Sequence, residues 1–209
     1  MLRIEDSDGI RCIGLNRPAK RNAIGVELTL ALEEALFRTK YDTDIHALVF
    51  HGIGGNFCAG MDMKDFFDSS TRPADVLRQA RLATEHWRTR LLPSMPQPII
   101  TAVQGFCFGA AMPILNASRV VLASTDAKFG LPEINFGFVP GGQIVKAVGQ
   151  MMTPRGLAYA ALTGRPIDAE RAQRWGLVTR VVEEDPLVPA LMLARETIQA
   201  AIRDGSRAR

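Results

Sequence analysis

The residues best equipped for chemistry lie in one stretch, Gly105 to Gly142, GFCFGAAMPILNASRVVLASTDAKFGLPEINFGFVPGG. Phe106-Cys107-Phe108 gives way to Gly109-Ala110-Ala111, after which Met112–Leu115 reads as the opening of a buried helix. A helix that starts near Gly109 leaves its first N–H groups without intrahelical partners, and the positive end of its dipole points the same way. Small side chains let a ligand come close to that backbone, so the pattern predicts an oxyanion hole. Pro113 fits, since a proline in the first turn gives up an N–H that has no helical partner anyway. Further on, Leu131-Pro132-Glu133-Ile134 sets a carboxylate within the apolar run Phe129 to Val139. Such surroundings raise a carboxyl pKa and suit Glu133 to general acid or base work. A purely structural role, capping a helix or pairing with Arg119, is the competing reading of Glu133. The segment Phe57 to Phe67, FCAGMDMKDFF, repeats the theme of small residues before a charged helix start, and its backbone can supply a second N–H donor.

The elements that must position these groups follow from hydrophobic spacing. Residues 10–16 read as a strand ending at Arg17-Pro18, followed by a basic turn, Pro18 to Ala23. Val26 to Thr39 has apolar residues at helical intervals, Leu28, Ala31, Leu32, Ala35 and Leu36. Ile45–Phe50 and Pro98–Val103 read as buried strands, and His51 to Gly55 as a glycine-rich connection without phosphate-loop spacing. Val76 to Leu92 reads as a helix with Trp87 on its apolar side. Val120–Ala123, Gly141–Met152, Pro154–Leu162, Asp168–Trp175 and Val178–Val182 read as strand, helix, helix, helix and strand. Pro186 to Arg203 forms a last amphipathic helix striped by Leu187, Leu191, Ala194, Ile198 and Ile202. Strands alternating with helices predict an α/β fold, in one domain spanning 1–209.

Composition narrows the function. With 25 basic against 22 acidic residues the net charge is +3, too balanced to imply nucleic acid, while a pI near 9.0 favours an anionic ligand. No apolar run is long enough for a membrane span or a secretory segment, so a cytoplasmic location is expected. Cys12, Cys58 and Cys107 have no metal-site or redox spacing and read as reduced core thiols. His46, His51 and His86 show no ligand or triad spacing. Tyr41 and Tyr159 are candidate phenol contacts for an aromatic ligand, with packing the alternative for Tyr159.

Five ordered segments carry a resemblance: LNRPAKRNAI (Leu15–Ile24), FCAGMDMKDF (Phe57–Phe66), PIITAVQGFCFGAAMPI (Pro98–Ile114), AKFGLPEINFGFVPGG (Ala127–Gly142) and ALTGRPIDAERAQRWGLVTRVV (Ala161–Val182). Over nearly its whole length the chain resembles the enoyl-CoA hydratase/isomerase superfamily, the crotonase family. In GMDMKDFF, GFCFG, FGLPEINFG and the tract from Ala158 to Thr163 it is similar to the hydroxycinnamoyl-CoA (feruloyl-CoA) hydratase-lyases. The resemblance implies a spiral of ββα turns, with two roughly perpendicular sheets wrapped by helices. It also implies a thioester carbonyl held by the N–H groups of Met61 and Ala110, with Glu133 as acid/base. Coenzyme A then lies along Lys20, Arg21, Ala23, Ala59, Asp62 and Lys64, and Gly60, Gly109, Pro132 and Gly141 complete the substrate site. No metal or redox cofactor is implied, coenzyme A being part of the substrate.

The chain also departs from the pattern. Family hydratases use two glutamates; the first maps onto Pro113, which cannot activate water, so a hydratase-lyase or isomerase fits better than a simple hydratase. Arg119 stands where an acidic residue is usual and reads as a surface or interface arginine. Relatives continue further at the C-terminus, through helices that cover the acyl pocket and build a trimer. Their lack here leads to the expectation of a homotrimer or hexamer that covers exposed apolar surface, with the last helix close to a subunit contact. A member that has lost catalysis and serves as a CoA-binding or scaffold protein is the rival reading.

Overall fold

The computed structural model describes residues 1–67, 70, 72–141, 143–183 and 185–203. Along the chain lie β1 (Leu2–Ser7), β2 (Ile10–Leu15), α1 (Val26–Lys40), β3 (Ala47–Gly52), α2 (Met63–Phe67), α3 (Ala74–His86), β4 (Ile99–Val103) and β5 (Phe106–Phe108). After these come α4 (Met112–Ala117), β6 (Val120–Ser124), β7 (Lys128–Gly130), α5 (Ile144–Met151), α6 (Pro154–Thr163), β8 (Ile167–Asp168), α7 (Ala169–Arg174), β9 (Arg180–Val182) and α8 (Leu187–Arg203). The strands form two sheets, a six-stranded one in the order β1-β2-β3-β4-β6-β9 and a three-stranded one in the order β5-β7-β8. From β2 to β9 the larger sheet is parallel; only β1 runs antiparallel. The α/β expectation is met.

Parallel strands covered on both faces read as unbroken apolar runs. In β3, Leu48 and Phe50 face the main core, whereas Ala47 and Val49 face a second cluster with Ile100, Ala102 and Leu122. Helix α8 covers that second face through Ala190 and Ala194, flanked by Leu187, Leu191 and Ile198. Ile202, expected on the same stripe, is instead 72% exposed, because the helix has passed beyond the sheet by its last turn. On the other face Trp87, Phe50, Phe57 and Phe129 are fully buried, each contributing about 2–3 kcal/mol by transfer from water.

Several boundaries differ from the sequence reading for local reasons. His51 and Gly52 belong to β3 rather than to a loop, since its pairing with β2 continues through Gly14–His51 and Leu15–Gly52. Strand β1 was not anticipated; Asp8-Gly9, both at positive φ, make the tight turn that folds it back on β2. The long helix expected over Val76 to Leu92 begins at Ala74 and changes character after His86. A π-helical turn, Trp87–Leu91, and a 3-10 turn, Leu92–Ser94, finish it. Trp87 is pinned there, its Nε1 donating to Thr29 Oγ1 at 2.8 Å while Thr29 and Thr84 share a 2.7 Å hydrogen bond. Gly142, the last residue of the glycine-rich stretch, lies outside the described residues.

Candidate active site

Two loops are stitched together to form one wall. Phe57 N donates to Gln104 O, Cys58 N to Phe106 O, and Phe108 N to Cys58 O, at 2.7, 2.8 and 3.0 Å. Asn56 adds its side chain, Oδ1 accepting from Phe106 N at 3.1 Å. The wall is further fixed from the basic turn. Asn22, fully buried, accepts from Arg17 N and donates to Ile53 O and Asn56 O, which holds Arg21 and Asn22 in left-handed backbone conformations. Cys58 and Cys107 face each other across this seam as free, buried thiols, and burial pushes Cys58 up to about 12.

The direction of the Met61 N–H follows from strand geometry. Met61 makes a parallel bridge with Ile24, in which Ile24 N donates to Gly60 O at 2.8 Å and Asp62 N donates to Ile24 O at 3.0 Å. In that arrangement the central residue's own N–H points away from its partner strand. Ala110 sits in a 3-10 turn, Gly109–Ala111, that leads into α4 with Pro113 in its first turn, as the sequence implied. Its N–H is one of the donors a helical start leaves without a partner. Gly60 brings the two loops close, since a methyl group added there would lie 3.8 Å from Ala110 N. Among the described residues, neither the Met61 nor the Ala110 N–H is taken by another group.

These groups open on a cavity of about 590 Å³. Of the residues expected at a site, Arg21, Ala59, Gly60, Met61, Gly109, Ala110, Pro132, Glu133 and Gly141 line it. Lys20, Ala23, Asp62 and Lys64 do not. Asp62 pairs with Arg17 at 2.7 Å and accepts from Asp65 N at the start of α2, while Lys20 and Lys64 are exposed. Neither tyrosine reaches the cavity: Tyr159 packs edge-on against Trp175, and Tyr41 lies exposed beside Phe37. Arg119 and Pro113 line a second cavity of about 450 Å³.

Glu133 lies in a short 3-10 helix, Pro132–Phe136, with one carboxylate oxygen against the backbone of Gly109. A Cβ at Gly109, where φ is +44°, would fall 2.6 Å from Glu133 Oε1. The other oxygen, Oε2, is sealed from solvent and has no hydrogen-bond partner. Burial raises the Glu133 pKa above its ordinary value. Of the two structural alternatives, among the described residues Glu133 makes no ion pair with Arg119, while its carboxylate accepts from its own backbone N–H in the first turn of the 3-10 helix.

Sequence reasoning missed three features of this cavity. Phe106 and Phe108 stack at 5.1 Å along one wall, with the Arg21 guanidinium over Phe106. Phe136, Phe138 and Val139 form its rim; they lie in the same apolar run as Glu133, where nothing in the sequence separates a cavity mouth from buried core. Arg88 lines both cavities, its Nε and Nη2 buried without partners, and burial lowers its guanidinium to about 10. No spacing marked it. Among the described residues no cluster of His, Cys, Asp and Glu could hold a metal ion, and no helix is long and apolar enough to cross a membrane.

Comparison with known proteins gives this architecture a lineage. The family model for enoyl-CoA hydratase/isomerase matches residues 5–208. A hydroxycinnamoyl-CoA hydratase-lyase from Pseudomonas fluorescens is 32% identical over 201 residues, covering 96% of this chain and 71% of its own. A 1,2-epoxyphenylacetyl-CoA isomerase from Escherichia coli K12 is 32% identical over 191 residues, covering 90% of this chain and 72% of its own. Among solved structures, an enoyl-CoA hydratase/isomerase from Marinobacter aquaeolei superposes with a TM-score of 0.83 at 28% identity, over 94% of this chain and 76% of that one. The two sheets wrapped by helices are the crotonase-like fold. From the stitched loops to the matched length, the chain belongs to the enoyl-CoA hydratase/isomerase family, whose enzymes act on coenzyme A thioesters.

Proposed function

We propose that this enzyme forms and discharges an enolate of its acyl-CoA substrate, as a hydratase-lyase or a double-bond isomerase. The observation that carries the proposal is the position of Glu133. Among the described residues it is the one acidic side chain lining the cavity, with one oxygen against Gly109 and the other without a partner. In this reading the thioester oxygen accepts from the N–H groups of Met61 and Ala110. Charge that develops on that oxygen is stabilised by about 3 kcal/mol per donor. In the isomerase reading Glu133 takes the proton from the carbon next to the carbonyl and returns it elsewhere on the acyl chain. In the lyase reading Glu133 takes a proton from water as its oxygen adds to the β-carbon and gives it to the α-carbon of the enolate. It then takes the β-hydroxyl proton, so that the bond between the α- and β-carbons breaks to an aldehyde and the enolate of the shortened thioester, which recovers that proton. The raised pKa of Glu133 makes it a stronger base than an exposed carboxylate and a usable acid on the return step. Direct addition of water by two glutamates is disfavoured, because Pro113 offers no second carboxylate and faces the other cavity.

Coenzyme A is read as entering past Arg21, whose guanidinium over Phe106 leaves a basic, flat surface for the nucleotide end. The same reading extends to assembly as a homotrimer or hexamer. Its support is the rim, where Phe67, Phe136 and Val139, which line one cavity mouth, are 55, 67 and 71% exposed, an apolar surface that a neighbouring copy could cover.

The test offers crotonyl-CoA, an unconjugated enoyl-CoA and feruloyl-CoA to the purified chain, with product identification. Turnover of feruloyl-CoA to an aldehyde and a shortened thioester supports the lyase, and migration of the double bond supports the isomerase. Hydration of crotonyl-CoA alone would contradict both assignments. Binding of all three without turnover would favour the non-catalytic CoA-binding alternative.

A further inference from the structure

Arg88 is a costly residue to keep where it is. A charged side chain taken out of water normally brings a partner with it, because desolvation disfavours the ion unless something opposite compensates. Arg88 has none. Its Nε and Nη2 are sealed and unpartnered, and among the described residues neither cavity it lines contains a carboxylate except Glu133, to which it makes no ion pair. The guanidinium lies over the ring of its neighbour Trp87, 5.1 Å from the centroid. Trp87 is itself fixed by the hydrogen bond to Thr29, and the π-helical turn that begins at Trp87 carries Arg88. Single wide turns of this kind are frequent at functional sites. The second cavity adds to the positive character of this wall, since Arg119 and Lys146 line it as well.

We propose that Arg88 is the recognition group for a carboxylate at the far end of the acyl chain, so that the preferred substrates are coenzyme A thioesters of dicarboxylic acids. This rests on the acyl-CoA reading above. The Nε and Nη2 of an arginine share one edge of the planar guanidinium and match the two oxygens of a carboxylate. A ligand carboxylate meets the lone cation with two charge-assisted hydrogen bonds, which outweigh the contact with Trp87 and draw the unpaired edge round toward the cavity. An apolar acyl terminus instead leaves that edge of the guanidinium sealed and unpartnered.

The experiment measures binding of two matched thioester series to the full chain by calorimetry. Succinyl-, glutaryl- and adipyl-CoA are set against neutral straight-chain acyl-CoA thioesters of similar length, such as hexanoyl-CoA against glutaryl-CoA. The best carboxylate-ended thioester binds wild type about tenfold or more tightly than its neutral counterpart. Arg88→Met reverses that order, and Arg88→Lys keeps part of it. A wild type that binds the neutral series as well as or better than the acidic one overturns the inference and leaves the acyl-CoA reading standing. Failure to bind either series overturns both. A carboxylate preference that survives in Arg88→Met overturns the assignment to Arg88. If Arg88→Met does not fold, the wild-type comparison and Arg88→Lys still decide.

Discussion

The cavity has two unlike sides, a backbone wall and an aromatic rim. The wall, Cys58 to Met61 against Phe106 to Ala110, is hydrogen-bonded across its seam, and its proposed donors are main-chain N–H groups beside small residues. The rim, Met63, Phe67, Phe136, Phe138 and Val139, has exposed side chains and borders open space. The two sides divide the labour. Backbone groups cannot be altered by substitution without moving the chain, so chemistry placed there is common to many substrates. Side chains on a rim can be exchanged freely, and with Arg88 deeper in the cavity they are placed to set which acyl group is held.

If the division is right, the wall should be intolerant of a single methyl group. Gly109→Ala forces a Cβ onto Glu133 Oε1, and the carboxylate, being the flexible partner, gives way. Displacement of a proton-transferring group by about 1 Å costs about a hundredfold in rate. The left-handed backbone at this position adds only about 1–2 kcal/mol of destabilisation. Steady-state kinetics together with thermal unfolding check this: kcat should fall about a hundredfold while the protein remains folded at assay temperature. Near-wild-type kcat would show that Glu133 need not sit against Gly109.

The rim makes a smaller demand, a change in mass rather than in rate. Apolar surface that borders a cavity mouth should be covered by a neighbouring copy. Light scattering should therefore read three or six times the 22.9 kDa of the chain. A mass that stays at one chain on concentrating would show that the mouth remains open.

Much of the wall was legible in the sequence, because small residues before a helix start have few other uses and Glu133 stands alone in an apolar run. The donor direction at Met61 was not, since it depends on a bridge to Ile24 thirty-seven positions away. Arg88 was illegible for a different reason. It follows Trp87 in the run EHWRTR, where alternating charge reads as a solvated helix face. The π-helical turn changes the angular spacing of side chains, so a periodicity of 3.6 assigns its residues to the wrong faces. Strands β7 and β8 span three and two residues, too few to show alternation. Strand β1 carries its signal in Asp8-Gly9, a turn pair whose strand lacks an apolar alternation because all but Leu2 of its residues are exposed.

On the mechanism proposed above, the wall stabilises an enolate and Glu133 moves the proton, whichever acyl group is held. Exchange of the proton next to the thioester carbonyl in deuterium oxide tests it most directly, since exchange needs only the first half of the reaction. A saturated acyl-CoA that binds should incorporate deuterium with wild type, and Glu133→Gln should slow incorporation by at least about a hundredfold. The carboxylate must be ionised to accept the proton and burial raises its pKa. Exchange should therefore fall with decreasing pH, at a midpoint above the ordinary 4.5 of a glutamate. Undiminished exchange in Glu133→Gln, or none in wild type with the thioester bound, would contradict the account.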